Sequence, residues 1–263
     1  MSGVELEPDA AWRRLEARCE RAGLQVRGGL ALDALDASDA LDALDALDAL
    51  DPLDAGEALP EVGGSPAATL VLLGNVGPAM WEAFRRARAE RPELAGLDAW
   101  TREVVSAIAS DVGARAIFPF EGPPYWPFQR WAQRAEPVHA SPLGVLIHPR
   151  FGLWHAYRAA LLFADRLPLP PRVEAESPCA TCADRPCLRA CPAGAFSESG
   201  YDVPACAAHL QADPPALCIT AACLARRACP VGKEFLYPSG QREHHMRAFV
   251  QLWSSTPGSK GSP

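Results

Sequence analysis

The interpretation of the C-terminal part of this chain depends on residues 179–194, "CATCADRPCLRACPAG". This stretch holds four cysteines in thirteen residues, the last of them followed by proline: Cys179, Cys182, Cys187 and Cys191. A second set of four ends in the same Cys-Pro pair: Cys206, Cys218, Cys223 and Cys229. Thiols spaced in this way serve as disulfide partners, as zinc ligands or as ligands of iron–sulfur clusters.

Charge and hydropathy narrow the choice of compartment and partner. The chain has 25 Lys and Arg against 32 Asp and Glu, a net charge of −7, so no basic field indicates DNA or an anionic membrane surface as a partner. The N-terminal residues lack the basic start and apolar run of a signal peptide, and no stretch reaches the length of a membrane span. We therefore expect a cytoplasmic protein, in which clustered cysteines bind metal or carry redox chemistry more often than they form disulfides.

The two cysteine groups match the layout of a two-cluster ferredoxin. A cubane [4Fe–4S] cluster needs four thiolates from different directions, and a tight loop supplies three of them. One departure keeps zinc open as an alternative: four residues, "ADRP", separate Cys182 from Cys187, where ferredoxins usually have two. Structural zinc sites pair two Cys-x2-Cys elements, however, and here the first group has one. We predict two [4Fe–4S] clusters, with zinc and disulfides as the alternatives.

Composition divides the rest of the chain into segments. We predict an N-terminal helix within residues 1–29, a low-complexity Ala-Leu-Asp repeat and linker over 30–66, an α+β domain over 67–175, the cysteine domain over 176–240 and a C-terminal tail over 241–263. "ATLVLLG" and "ARAIFPF" are typical of strands, and "AMWEAFRRARAER", "LDAWTREVVSAIASDVG" and "QRWAQRA" of helices. Because the two types mix without strict alternation, the fold class is α+β. The segment type of "LWHAYRAALLF" is left open.

The segment from about residue 131 to 237 resembles the epoxyqueuosine reductase family. The resemblance lies in "WAQRAEPVHASPLGVLIHPRFGLWHAYRAALLF", in the proline-rich connector after it, and in the double cysteine motif. It implies a divergent member with a nitroreductase- or cobalamin-processing-like α+β domain, followed by a ferredoxin-like domain with two [4Fe–4S] clusters. It also implies cobalamin as a further cofactor.

The resemblance and the ferredoxin layout imply particular site residues. In two-cluster ferredoxins the Cys-Pro cysteine of each motif binds the cluster of the other motif. One cluster would then take Cys179, Cys182, Cys187 and Cys229, and the other Cys191, Cys206, Cys218 and Cys223. His148, Arg150 and Trp154, in "LIHPRFGLW", are the candidate cofactor-binding residues of the first domain.

The implied function is an oxidoreductase. It would relay electrons from a soluble donor to a cobalamin, or to a substrate that is a small molecule or a nucleoside in RNA. Two family features are missing: Val145 stands where a lysine would follow Gly144, and "PFEGPPYWPFQR" offers Glu121 but no aspartate as a catalytic acid. The catalytic residue therefore stays unassigned. Two alternatives remain, a non-enzymatic electron-transfer or partner-binding protein and a zinc-stapled interaction module.

Overall fold

A computed structural model describes residues 8–32, 59–123, 125–197, 200–212 and 217–255. Contacts group the chain into two compact units. Unit 1 contains residues 1–137 and 156–174, and unit 2 contains residues 138–155 and 175–263. The Ala-Leu-Asp repeat, from residue 33 onward, lies outside the described residues.

The described elements alternate irregularly between helix and strand, as an α+β fold requires. The helices are α1 (Pro8–Arg21), α2 (Ala79–Glu90), α3 (Leu97–Asp111), α4 (Phe128–Ala135), α5 (Pro186–Arg189), α6 (Val203–Ala212), α7 (Leu217–Ala221), α8 (Leu224–Ala228) and α9 (Ser239–Ser255). The strands are β1 (Gln25–Ala31), β2 (Thr69–Val76), β3 (Arg115–Ile117), β4 (His139–Ala140), β5 (Leu146–Ile147), β6 (His155–Phe163), β7 (Phe196–Ser197) and β8 (Gly200–Tyr201). The α+β class predicted from the sequence is confirmed.

Unit 1 is built on a four-stranded sheet in the order β1-β2-β6-β3. Strand β2 is buried along its whole length, which confirms the strand predicted for "ATLVLLG". Its neighbours in the sheet satisfy its backbone, and apolar side chains of the helices cover it. Phe84 of α2 and Trp100 of α3 meet edge to face at 5.9 Å in the core beside the sheet. Cys19 of α1 is fully buried there, and burial raises the pKa of its thiol to about 12, so it acts as a small apolar residue.

The described residues of unit 2 form two short hairpins, the five helices α5 to α9 and a 3-10 helix over Lys233–Phe235. Strand β4 pairs with β5, and β7 pairs with β8, in each case antiparallel. One apolar cluster contains Leu143, Ile147 and Leu153 with Phe196, and a second contains Leu210 and Ile219 against the helix α9. Cysteines of the double motif belong to both clusters: Cys179, Cys187, Cys191, Cys223 and Cys229 to the first, and Cys206 and Cys218 to the second.

Three elements differ from the expectation or complete it. Strand β1 follows α1 where only a helix was predicted, because its partner β2 lies about forty residues further along the chain, where local patterning cannot reveal it. The open segment after Leu153 forms strand β6. Helix α9 occupies most of the predicted C-terminal tail. Within the described residues no helix has the length and apolar character needed to cross a bilayer.

Candidate metal centres

Unit 2 contains two cavities, each walled by four of the eight clustered cysteines. Cavity A is lined by Cys179, Cys182, Cys187 and Cys229, and cavity B by Cys191, Cys206, Cys218 and Cys223. Cavity A has a volume of about 30 Å³, or about 350 Å³ when the space open to solvent is included. The corresponding volumes of cavity B are about 240 and 890 Å³. The two sets of four are the same as those that the ferredoxin layout implies; that they bind clusters stays a prediction.

Two short helices explain why the cysteines divide in this way. Helix α5 begins beside Cys187, which faces cavity A, and ends before Cys191, which faces cavity B. Helix α8 is flanked by Cys223 at its N-terminal end and Cys229 at its C-terminal end, and these again face different cavities. Each helix therefore delivers one cysteine to each cavity. Pro186 occupies the first position of α5, where proline is favoured, and Pro192, three residues after Arg189, opposes continuation of the helix beyond a single turn.

The thiols of one cavity interact electrostatically with one another. Burial, and after it the thiols of Cys229, Cys187 and Cys182, raise the pKa of Cys179. Burial also raises the pKa of Cys206, with further increases from Cys191 and Cys218. In both cases the neighbouring thiols belong to the same cavity. Deprotonating one thiol therefore makes it harder to deprotonate the next, unless a cation neutralises the group.

Cavity B also contains a thiol with a strongly raised pKa. Burial raises the pKa of Cys223 to about 11, with smaller increases from Cys218 and Cys206. Thiols that resist ionisation by themselves, as Cys206 and Cys223 do, suit a cationic metal centre, because the metal supplies the missing positive charge.

Hydrogen-bond donors point at the sulfur atoms. The backbone N–H of Ala195 donates to Sγ of Cys191 at 3.4 Å. Backbone N–H groups of Ala225 and Arg226 donate to Cys223, and that of Val231 donates to Cys229. The bonds to Cys223 and Cys229 lower the pKa values of those two thiols against the effect of burial, since they stabilise the thiolate form that binds metal. N–H groups that face the sulfur atoms of a metal-binding loop serve the same purpose in iron–sulfur proteins.

The thiols surround the cavities without converging on one point. In the described part of the chain, no three His, Cys, Asp or Glu side chains are gathered closely enough to hold a metal ion together. A single zinc ion draws all its sulfur ligands to about 2.3 Å. A cubane differs, because each of its thiolates binds a separate iron corner, and the four sulfurs stand apart around the cube. All nine cysteines carry free thiols.

The three residues proposed for cofactor binding in the first domain lie in unit 2. Nδ1 of His148 accepts hydrogen bonds from the backbone N–H groups of Arg150 at 3.0 Å and Phe151 at 3.2 Å, so this ring stabilises a turn. The guanidinium of Arg150 lies over the rings of Phe151 and Phe235. Trp154 is almost fully buried. Its ring packs against Tyr237 and under the guanidinium of Arg226, whose Nε donates to the carbonyl of Leu153 at 3.0 Å.

Carboxylates of unit 1 take part in ion pairs. Glu121, the one carboxylate of its loop, accepts a hydrogen bond from Arg102 at 2.6 Å on the surface. Glu136 is nearly buried and pairs with the buried Arg27 at 2.9 Å, and the hydroxyl of Tyr157 also donates to it. Burial raises the pKa of Glu136, although Arg27 and the hydrogen bond from Tyr157 lower it. Sequence reasoning missed this cluster; its only local signal is the pair of glycines after Arg27, which is typical of a bulge.

Tyr201 is a second residue that the sequence analysis missed. It lines cavity B, and its hydroxyl hydrogen-bonds the sulfur of Cys206. Burial and this bond both raise the pKa of the phenol. The only local signal is an aromatic residue directly before the Asp202-x3-Cys206 spacing.

Comparison with known proteins shows that the fold of this chain is similar to those of several solved structures. No protein-family model and no curated protein matches the chain. Among solved structures, the alignment with a selenomethionine-labelled epoxyqueuosine reductase covers 90% of this chain and 69% of that protein's chain, at 15% identity and with a TM-score of 0.50. CblC, a B12-trafficking protein of C. elegans, matches 94% of both chains at 12% identity, with a TM-score of 0.56. An epoxyqueuosine reductase with an epoxyqueuosine-modified tRNA stem loop matches 87% of this chain and 67% of its own at 16% identity, with a TM-score of 0.49.

At such identities the likeness concerns the fold and does not extend to activity. The resemblance drawn from the sequence is confirmed at that level: the chain has an α+β fold like those of epoxyqueuosine reductase and of CblC.

Proposed function

We propose that the chain is an iron–sulfur oxidoreductase in which cavities A and B each hold one [4Fe–4S] cluster. The observation that carries the proposal is the division of eight cysteines into two cavities of four, with each Cys-Pro cysteine facing the cavity of the other motif. That crossing is typical of two-cluster ferredoxins. A single zinc site, or thiols without a common function, would not require this arrangement.

The residues of both cavities fit such a group. Each cavity offers four thiols as donors, and backbone N–H groups face the sulfurs of Cys191, Cys223 and Cys229. The other lining residues are mostly apolar, such as Ile147 in cavity A and Leu210 in cavity B. A thiol-lined space with mostly apolar neighbours and few competing polar groups favours a soft metal centre over a hydrated ion.

The arrangement suits electron relay. When bound, such clusters accept and release single electrons. Helices α5 and α8 each join a cysteine of cavity A to one of cavity B, with three residues between Cys187 and Cys191 and five between Cys223 and Cys229, so both centres are held by the same short elements. Arg185 beside cavity A and Arg226 beside cavity B place positive charge near them. Such charge favours the reduced, more negative state of a cluster.

The electron acceptor is a further part of the proposal. Its basis is the fold shared with epoxyqueuosine reductase and with a B12-trafficking protein, which makes cobalamin a candidate cofactor. Among the residues predicted for it, His148 supports a turn and Trp154 packs beneath Arg226. The described contacts of these residues therefore do not fit a cobalamin site, and we derive no step through that group. The soluble electron donor, and a substrate that is a small molecule or a nucleoside in RNA, belong to the same proposal.

A second candidate is an electron-transfer protein without catalysis of its own. The surface ion pair between Glu121 and Arg102 favours it, since the one carboxylate of the expected catalytic loop is engaged there. Both candidates need the clusters. Adding cobalamin to the purified protein helps to separate them: a change in its spectrum would support an enzyme that uses cobalamin, and no change would favour the carrier.

The test of the proposal is metal and sulfide analysis of anaerobically purified or reconstituted protein. We expect a brown protein that bleaches with dithionite and contains about eight iron and about eight sulfide per chain. Cys19→Ala is the matched control, because Cys19 is a buried thiol of unit 1 that lines neither cavity, and it should keep the full content. A colourless protein that carries zinc would overturn the iron–sulfur proposal and support the interaction module.

A further inference from the structure

We propose that Tyr201 is a positioning residue that raises the reduction potential of the cluster in cavity B, by donating a hydrogen bond to the sulfur of Cys206. This inference rests on the proposed function. It goes beyond the cysteine ligands, because neither the ferredoxin spacing nor the fold likeness identifies a side-chain donor at this centre.

The hairpin of β7 and β8 fixes the ring of Tyr201. Phe196 stands directly opposite Tyr201 in the antiparallel pair, and the two rings stack with centroids 4.5 Å apart and an interplanar angle of 21°. Both residues line cavity B, so the phenol has a defined position on its wall. Because the ring of Tyr201 is stacked on its cross-strand partner, it has little freedom to rotate away from the cavity wall.

The next residue fixes the position of Cys206 relative to that ring. Asp202 caps the N-terminus of helix α6: its Oδ1 accepts from the N–H of Ala205 at 2.9 Å, and its carbonyl accepts from the N–H of Cys206 at 3.2 Å. The N–H of Asp202 in turn donates to the carbonyl of Ala195 at 2.8 Å. The cap therefore holds the first turn of α6, with Cys206, against the end of the hairpin that carries Tyr201.

The hydrogen bond has a direction and a predictable effect. The phenol donates and the sulfur accepts, and both groups line the same cavity. An O–H donor stabilises negative charge on a ligand sulfur, and reduction adds negative charge to a cluster, so the bond favours the reduced state. The described residues that line cavity A include no tyrosine. The effect is therefore expected at one of the two centres.

The test compares Tyr201→Phe with the wild-type chain, both reconstituted anaerobically. Phenylalanine keeps the stacked ring and removes only the donor. We expect unchanged iron and sulfide content, and a downward shift of one midpoint potential in a reductive titration followed by electron paramagnetic resonance, with the other unchanged. Tyr237→Phe is the matched control, because Tyr237 is a buried tyrosine of unit 2 that lines neither cavity. It should shift neither potential.

A second substitution is expected to raise the potential, and it keeps the proposal testable if Tyr201→Phe binds too little iron and sulfide. 3-Fluorotyrosine at position 201 keeps the ring and has a more acidic phenol, so it donates a stronger hydrogen bond and should raise the same potential. Full loading with both potentials unchanged in both variants would overturn the role of Tyr201 and leave the proposed function intact. A wild-type chain that binds no iron or sulfide would instead overturn the proposed function.

Discussion

Arg27, Glu136 and Tyr157 form a charged cluster that is largely removed from solvent in unit 1. The register of β1 against β2 shifts between Val26 and Gly29, and this bulge accompanies the burial of the Arg27 side chain. The guanidinium makes two contacts to Glu136, at 2.9 and 3.2 Å, and lies over the ring of Tyr157. Its partner is more than a hundred residues away in the sequence, so no local pattern predicts the pair.

Removing one charge of this cluster should cost more than removing both. Arg27→Met leaves Glu136 buried without its cation, and we expect a loss of about 3–5 kcal/mol in the free energy of unfolding. In Arg27→Met combined with Glu136→Leu no charge of the pair is left buried, so most of that loss should be recovered. Urea denaturation of both variants measures the difference.

Asp98→Ala provides the comparison on the surface. Asp98 pairs with Arg158 at 2.7 Å but is more than half exposed, so its loss should cost no more than about 1 kcal/mol. Equal losses for Asp98→Ala and Arg27→Met would show that burial of the Arg27 cluster has no energetic consequence.

Among the elements, the turn at Gly152 shows how closely two segments of unit 2 approach. Gly152 has φ +56°, and its backbone exchanges two hydrogen bonds with His148. A Cβ atom at this position would lie 2.0 Å from the carbonyl oxygen of Val231. Val231 lines cavity A and donates its N–H to Cys229. The turn therefore supports one ligand of the proposed centre.

Gly152→Ala should disrupt cavity A, while Gly194→Ala should not. Gly194 has φ +60°, but no atom lies within 4 Å of a Cβ built there, so only the backbone strain of about 1–2 kcal/mol remains. At Gly152 the backbone of Val231 must move in addition. We expect Gly152→Ala to lose about half of the bound iron and Gly194→Ala to keep it, as measured by iron analysis after reconstitution. Similar iron contents in the two variants would contradict the importance of the close approach.

Helices α5 and α8 lead to a prediction about pairs of cysteines. Cys187 and Cys229 face cavity A, whereas Cys191 faces cavity B although it stands only four residues after Cys187. Replacing Cys187 and Cys229 together by serine should remove one cluster, about four iron per chain. Replacing Cys187 and Cys191 should remove both. If instead the variant without Cys187 and Cys191 kept one cluster, the assignment of each Cys-Pro cysteine to the cavity of the other motif would be wrong.

An element could be predicted when the residues that determine it lie within its own stretch of sequence. The strand β2 and the helices α2 and α3 carry their apolar periodicity within their own residues, and they were predicted. Strand β1 depends on pairing with a distant segment, and α9 on packing against α7, so neither follows from a local pattern. The grouping of the cysteines was predictable because their spacing along the chain encodes it. Tyr201 and Glu136 were not, since only the fold brings their partners to them.

In the whole molecule, the two units are not consecutive in sequence. Residues 138–155 group with unit 2, although the sequence analysis assigned them to the α+β domain that precedes the cysteines. The chain enters unit 2 at residue 138, returns to unit 1 at residue 156 and enters unit 2 again at residue 175. A division by composition cannot detect this path, because it assigns consecutive stretches of chain to domains in order. The consequence is that His148 and Trp154, expected in the first domain, belong to the same unit as both cysteine cavities.

The composition of the cores predicts how the molecule responds to removal of the clusters. The core of unit 1 contains large apolar side chains such as Trp81, Phe84 and Trp100, whereas the apolar clusters of unit 2 include cysteines that the proposal makes ligands. Ligand binding to the folded form adds directly to its stability, and four unligated thiols around a cavity contribute little packing. Oxidative removal of iron in the presence of a chelator should therefore loosen unit 2 selectively.

Hydrogen–deuterium exchange of the full chain before and after that treatment measures the effect. We expect amides of the described residues within 138–155 and 175–255 to lose protection, and those of β2, α3 and β6 from residue 156 onward to keep it, because their hydrogen bonds lie in the sheet and core of unit 1. Cys19→Ala, treated in the same way, controls for damage to a thiol outside the cavities. An equal loss of protection in both units, or none in unit 2, would contradict a fold in which the eight cysteines stabilise only the unit that contains them.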